Sequence, residues 1–415
     1  MTDLAIDGDR LIADLRALIR LPSITGSEEA VAAWAAGALR ELGMRVDVVR
    51  PDLDAHRADP DWPGEEMPRT SLPVVIGRAG ATSDPPRLIL SGHLDVVPPG
   101  DPATWSVDPW AAEVRDGQVY GRGACDMKGG VASVLGAVRA LRDADLLHRL
   151  LGELMVVLVP SEEDGGQGTL AAIRAGAVGD MAVIAEPSDR DIVVAHAGAL
   201  TFRLTVPGKA AHASKRWEGV SALDNLMTLV RALEADEERR NAAEGDPLMT
   251  ALGLPYPTII GIVHGGEWAS TVLDRIVADG RYGVRLGQTT AEAADELRAC
   301  ITAACAADPF LWDHPATVEI TGGRFGSARV PGDHPLPVGL ADAVETVTGR
   351  RPSLIGEPYG ADMQMFVNVG ATPCVIYGPG DVRVGHSADE HVPIDEVVTC
   401  ARVLATWVSR EIGPR

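Results

Sequence analysis

Four short apolar runs constrain the fold of this chain more than any other feature. They are RLILSGHLDVV at 87–97, LMVVLVP at 154–160, MAVIAEP at 181–187 and TPCVIYGPG at 372–380. Each is short and apolar enough to be a strand buried on both faces of a sheet. Helical stretches lie between them. The alternation predicts an α/β fold with a central, mostly parallel sheet covered by helices. Polar residues gather toward the C-terminal end of each run. In open α/β sheets, ligands bind at that edge.

Two helices are legible in the first half. Residues 27–43 place Val31, Trp34, Ala35, Ala38, Leu39 and Leu42 on one helical face. Thr25 and Glu28 have the spacing of a capping box, and Gly43 suits the position after the last turn. Residues 129–142 repeat the pattern with Val131, Val134, Leu135, Val138 and Leu141. The stretch 54–86, rich in Pro, Asp and Gly, reads as loop or hairpin. The region from 194 to 322 differs: alternating strands such as ALTFRLTV and TVEIT flank helical stretches near 219–235 and 290–306. It reads as a small α+β insertion that divides the larger domain into 1–193 and 323–415.

A chain of 415 residues with 46% apolar and 23% charged residues has ordinary globular composition. Its formal charge of −22 opposes binding to nucleic acid and to anionic membranes. The N-terminus, MTDLAIDGDR, is acidic, and no apolar run approaches a membrane span. Five scattered cysteines without CxxC spacing fit a reducing compartment, and the expected location is cytoplasmic.

The sheet edge carries the chemistry. His93 and Asp95 in GHLDVV share a strand face, and a metal-bound histidine commonly donates its second ring N–H to a carboxylate. The pair also suits a hydrogen-bonded core histidine. Asp126 stands among glycines in VYGRGACDMKGG, just before a helix. An N-cap explains it too, whereas phosphate binding does not: GK[ST] and GxGxxG are missing, and an aspartate repels phosphate. Glu162 and Glu163 follow the second run, and adjacent carboxylates repel unless a cation or shared proton intervenes. Glu186 ends the third run, and His386 follows the fourth. Each has a bland explanation alone. Together, two histidines and several carboxylates at successive sheet edges suit two zinc-like cations with mixed nitrogen and oxygen ligands and no thiolate.

These motifs, in this order, resemble the M20 group of metallopeptidases and deacylases. The resemblance runs from LPSITGSEE through GHLDVVP, DGQVYGRGACDMKGG, SEEDGG, AEPS and GKAAHAS to YGADM and GHSADE. It implies that Asp126 bridges two divalent metal ions, Zn²⁺ or Co²⁺. His93 and Glu186 would complete one site, and Glu163 and His386 the other. Glu162 would be the general base, and Asp95 would support His93. The resemblance further implies a cis peptide at Asp126–Met127 and a ferredoxin-like lid over 194–322 that dimerises. His212 of GKAAHAS would reach the partner's active site, and Asp362 of YGADM would shape the pocket floor.

The departures fall in the lid. GGEWASTVLD has Ser270 and Leu273 where relatives carry asparagine and proline. Either Arg281 or Arg285 could grip a substrate carboxylate, and each also suits a solvated charge on a strand. The implied activity is removal of the acyl group from an N-acyl-L-amino acid, as in an acetylornithine deacetylase. The alternatives are a carboxypeptidase or dipeptidase using the same metals, and a non-catalytic homologue that binds amino-acid derivatives.

Overall fold

The computed structural model describes residues 4–81 and 86–414. Small parts of the two N-terminal stretches read above, residues 1–3 and 82–85, lie outside it. A nine-stranded sheet forms the larger unit. Its strands run in the order Arg45–Val49, Val74–Gly80, Glu153–Val159, Arg87–His93, Met181–Ile184, Cys374–Ile376, Ile192–His196 and Ala328–Arg329, with Leu354–Glu357 also on Ile192–His196. All four apolar runs are adjacent central strands. Arg87–His93 is parallel to both neighbours, and Met181–Ile184 is parallel to Cys374–Ile376. The flanking Arg45–Val49 and Val74–Gly80 are antiparallel. Parallel strands end at one edge, so the polar residues after each run arrive side by side.

Helices cover the sheet because each has one apolar face. Glu29–Glu41 buries Val31, Ala32, Ala35, Ala36 and Leu39. Gly129–Asp143 is buried along almost its whole length and packs between Gly8–Ile19, Ile394–Ile412 and the strand Arg87–His93. Each fully buried Leu, Ile or Val contributes roughly 1.5–3 kcal/mol. The start of this helix must also come close to a strand. A Cβ on Gly130 would stand 1.8 Å from the carbonyl oxygen of Ala185, so only glycine lets the helix begin beside the strand that carries Glu186.

Three local expectations differ from the structure. The stretch 54–86 holds a helical turn, Leu53–Arg57, and the strand Val74–Gly80. The helix Gly8–Ile19, capped by the Asp7 side chain, adds an element beyond those read from sequence. Thr25 and Glu28 form no capping box. Glu28 accepts the Gly26 N–H, and the Thr25 hydroxyl donates to Asp95 at 3.0 Å. A long-range partner takes the Thr25 hydroxyl, and Glu28 turns back to a different neighbouring N–H.

A second sheet has four antiparallel strands in the order Thr258–Gly265, Arg275–Val284, Gly198–Pro207 and Thr317–Phe325. Helices Ala222–Ala242 and Thr290–Ala306 pack against it around a separate apolar cluster that includes Phe202, Leu229, Tyr282 and Leu297. The order β-α-β-β-α-β is ferredoxin-like. Thr289 caps the second of these helices with a complete capping box to Glu292.

Candidate metal centre

His93 is the last residue of its strand. In register it faces Val159, which Glu162 and Glu163 follow closely. On the other side, Ser91 is level with Ile184, two residues before Glu186. Asp126 enters from a turn at the N-terminus of Gly129–Asp143, and the Asp126–Met127 peptide is cis. His386 comes from the loop beyond Cys374–Ile376.

These residues meet. Asp126 lies between two imidazoles, its Oδ1 3.1 Å from Nε2 of His93 and its Oδ2 3.3 Å from Nε2 of His386. Glu163 Oε2 is 3.0 Å from the same His386 nitrogen. Ligand atoms of His93, Asp126 and Glu163 lie within 4.8 Å of one another, as do those of His93, Glu162 and Glu186. Glu162 therefore stands in the same group as His93 and Glu186.

Asp95 touches more than His93. The His93 Nδ1 is 2.9 Å from the Asp95 main-chain oxygen and 3.7 Å from its carboxylate. The carboxylate instead accepts the N–H groups of Glu162 at 3.1 Å and Glu163 at 3.3 Å. It orients the turn that carries both glutamates.

The electrostatics are those of crowded acids. Burial pushes Glu186 up to about 8, and burial with Glu186 alongside holds Glu162 well above the carboxylate range. Burial and the neighbouring Asp126 raise Glu163. Burial opposes charge on His93, yet Asp126, Glu162 and Asp95 carry it well above its ordinary value. Contacts with Asp126 and Glu163 raise His386 to about 10. Glu186 Oε1 is buried without a hydrogen-bond partner. Four carboxylates and two imidazoles with an orphaned oxygen fit divalent cations. A cation takes over the charge that protons otherwise balance, and the donors are oxygen and imidazole nitrogen only.

The cleft over this cluster holds about 380 Å³ and is lined by Asp126, Glu162, Glu163, Glu186 and His386, with Arg281 and Phe325 from the second sheet's strands. The Arg281 guanidinium lies 5.6 Å from the centre of the Phe325 ring. Arg285 does not reach the cleft. It follows the end of its strand and pairs with Glu296 at 3.3 Å, lining a different cavity. Asp362 is not among the residues lining the cleft. It is buried, accepts from the Thr169 hydroxyl at 2.6 Å and is pushed up to about 7 by burial. His212 is exposed beside Ser214 and likewise does not line the cleft.

Two supporting residues, Glu390 and Arg69, carry no isolated sequence signal. Glu390 accepts the N–H groups of Gly123, Cys125 and Asp126, and it pairs with Arg122. Arg69, fully buried, pairs with Glu28 at 3.4 Å and Asp164 at 3.1 Å behind the Glu162 turn. Glu390 stands in GHSADEHV beside His386, and that proximity is the one clue to it.

Comparison with known proteins matches residues 89–410 to the family described as Peptidase family M20/M25/M40. The chain is 27% identical to an N-formyl-4-amino-5-aminomethyl-2-methylpyrimidine deformylase of Bacillus subtilis, over 92% of this chain and 90% of the relative. It is 32% identical to a succinyl-diaminopimelate desuccinylase of Methylobacterium sp., over 94% and 93%. It is 25% identical to an acetylornithine deacetylase of Photorhabdus laumondii, over 95% of each. Its fold is similar to that of an M20 family metallo-carboxypeptidase from Sulfolobus solfataricus, with a TM-score of 0.75 at 16% identity, covering 96% of this chain and 98% of that one.

Proposed function

The chain belongs to peptidase family M20/M25/M40 and is a metal-dependent hydrolase of amide or peptide bonds; from that premise we propose that it removes the acyl group from an N-acyl-L-amino acid. The observation that carries this reading is the Asp126 carboxylate reaching one histidine with each oxygen. We infer two divalent cations, Zn²⁺ or Co²⁺. One would be held by His93, Asp126 and Glu186, the other by Asp126, Glu163 and His386. Bound there, the pair would supply Lewis acidity that makes water a stronger acid near neutral pH.

The chain's own groups do the rest. Glu162 takes the proton of the attacking water and returns it to the leaving nitrogen. Asp95 fixes Glu162 through its main-chain N–H. Arg281 binds the substrate carboxylate in a bidentate manner and so sets which amide lies over the metals. Residues 194–322 act as a lid, and His212, reaching across a dimer, donates to the oxyanion, a contribution typically of about 2.7–4 kcal/mol. The unpaired edge strand Thr258–Gly265, with Ile262 and Val263 exposed, supports such a dimer. Among the described residues no helix is long and apolar enough to cross a membrane, and the five cysteines are free, which supports a cytoplasmic enzyme.

Arg281 would accept the C-terminal carboxylate of a dipeptide equally well, so a carboxypeptidase or dipeptidase is the second reading. Metal-loaded protein should be assayed against N-acetyl and N-succinyl amino acids and against dipeptides, with and without chelator. Chelator-sensitive release of acetate or succinate is the expected result. Turnover of dipeptides alone replaces the first reading with the second. No turnover of any of them leaves a binding protein.

A further inference from the structure

Away from the catalytic cleft, a second cavity of about 320 Å³ opens beside the helices Pro335–Thr348 and Ile394–Ile412. Val344, Val347 and Pro379 give it an apolar side. Three guanidinium groups border it. Arg190 is held by Glu396 at 2.6 Å, and Arg350 by Asp191 at 2.9 Å. Arg402, exposed at the cavity's rim like Asp395, has no ion-pair partner among the described residues. The pairing fixes two of the cations at the cavity, and the third is left for a ligand.

A separate observation points to that ligand. Tyr377 is only 3% exposed and lines the cavity. Its hydroxyl has no hydrogen-bond partner among the described residues. A phenol O–H with guanidinium groups around it is a donor set for an anion, and no protein acceptor supplies one. Both oxygens of Glu396 are already engaged, one by Arg190 and the other by the Gly380 N–H at 2.8 Å. Asp395, the remaining acid of the lining, is exposed.

We propose that this cavity binds a small organic anion, a carboxylate or phosphate head on an apolar body, with the head on Tyr377, Arg350 and Arg402 and the body against Val344 and Val347. The site is independent of the catalytic reading. Its back wall is nevertheless shared with the metal centre. The Asp189 N–H donates to the Gly380 carbonyl at 3.0 Å, and the Ser188 hydroxyl to that of Gly378 at 3.3 Å. These two loops lead from Glu186 and to His386. An anion bound here therefore sits behind the segments that place two proposed metal ligands.

The test is calorimetric titration of the full chain with benzoate and with phenyl phosphate, using uncharged benzamide as control. Arg281→Ala, Arg402→Glu and Tyr377→Phe are titrated alongside. At least one of the two anions should bind saturably while benzamide does not. Affinity should be unchanged in Arg281→Ala and at least about tenfold weaker in Arg402→Glu and in Tyr377→Phe. Binding of benzoate alone assigns a carboxylate ligand, and binding of phenyl phosphate alone a phosphate. No saturable binding by either up to about 10 mM overturns the proposal. So does binding that Arg402→Glu leaves intact or that Arg281→Ala removes.

Discussion

The Glu390 carboxylate accepts the main-chain N–H of Asp126 at 3.0 Å, tying the loop that bears His386 to the residue that reaches both histidines. The same carboxylate holds Gly123 and Cys125. One buried side chain thus fixes the direction in which Asp126 presents its oxygens. Glu390→Gln keeps the volume but places an amide N–H₂ where one of these N–H groups needs an acceptor. Groups that orient ligands typically account for 10–100-fold in metal affinity. Titration of chelator-treated Glu390→Gln with Zn²⁺ should show weakening of about that size. An unchanged affinity would remove Glu390 from this role.

Glu162 stands near His93 and Glu186, so its part as base is separable from a part as ligand only by experiment. Glu162→Gln should lower kcat by about 10²–10⁴-fold while metal content stays at the wild-type level. Loss of metal along with activity would make Glu162 a ligand instead.

Arg281 faces the cleft and Arg285 is held by Glu296. Arg281→Ala should raise KM for a carboxylate-bearing substrate by about 10–100-fold, the range for one charged hydrogen bond. Arg285→Ala should leave KM near wild type. The reverse order, read from steady-state kinetics, would reassign the contact.

His196 is fully buried, and burial lowers its pKa from 6.5 to about 4. The folded value lies below the unfolded one, so the unfolded chain takes up the proton first as pH falls. Stability from neutral His196 is complete above about pH 6.5 and is lost progressively toward pH 4. The full loss is about 3 kcal/mol. Urea unfolding at several pH values should show wild type losing that much more than His196→Gln across this window. Parallel curves would mean that His196 stays neutral in both states.

The catalytic edge was legible because parallel strands deliver their C-terminal ends together. His93, Glu162, Glu163, Glu186 and His386 follow four apolar runs that prove to be neighbours in the sheet. The supporting shell was not legible. Thr25 and Glu28 look like a local cap, but Asp95 and Gly26 take their side chains, and the Asp95 contact spans 70 residues of sequence. Glu390 binds residues more than 260 positions away. Periodicity reports local faces and says nothing of such pairs. Arg281 and Arg285, four apart near the end of one strand, were equivalent in sequence until Glu296 on the following helix claimed the second. The strand Val74–Gly80 was hidden by the Pro- and Gly-rich stretch around it.

Metal stoichiometry tests the central claim most directly. Chelator-stripped protein would be loaded with Zn²⁺ or Co²⁺, separated from free ion and measured by elemental analysis, alongside Asp126→Ala. Two ions per chain are expected in the wild type, with loss of both sites' tight binding in the variant. Absence of stoichiometric uptake by the wild type, or full loading of Asp126→Ala, would contradict it.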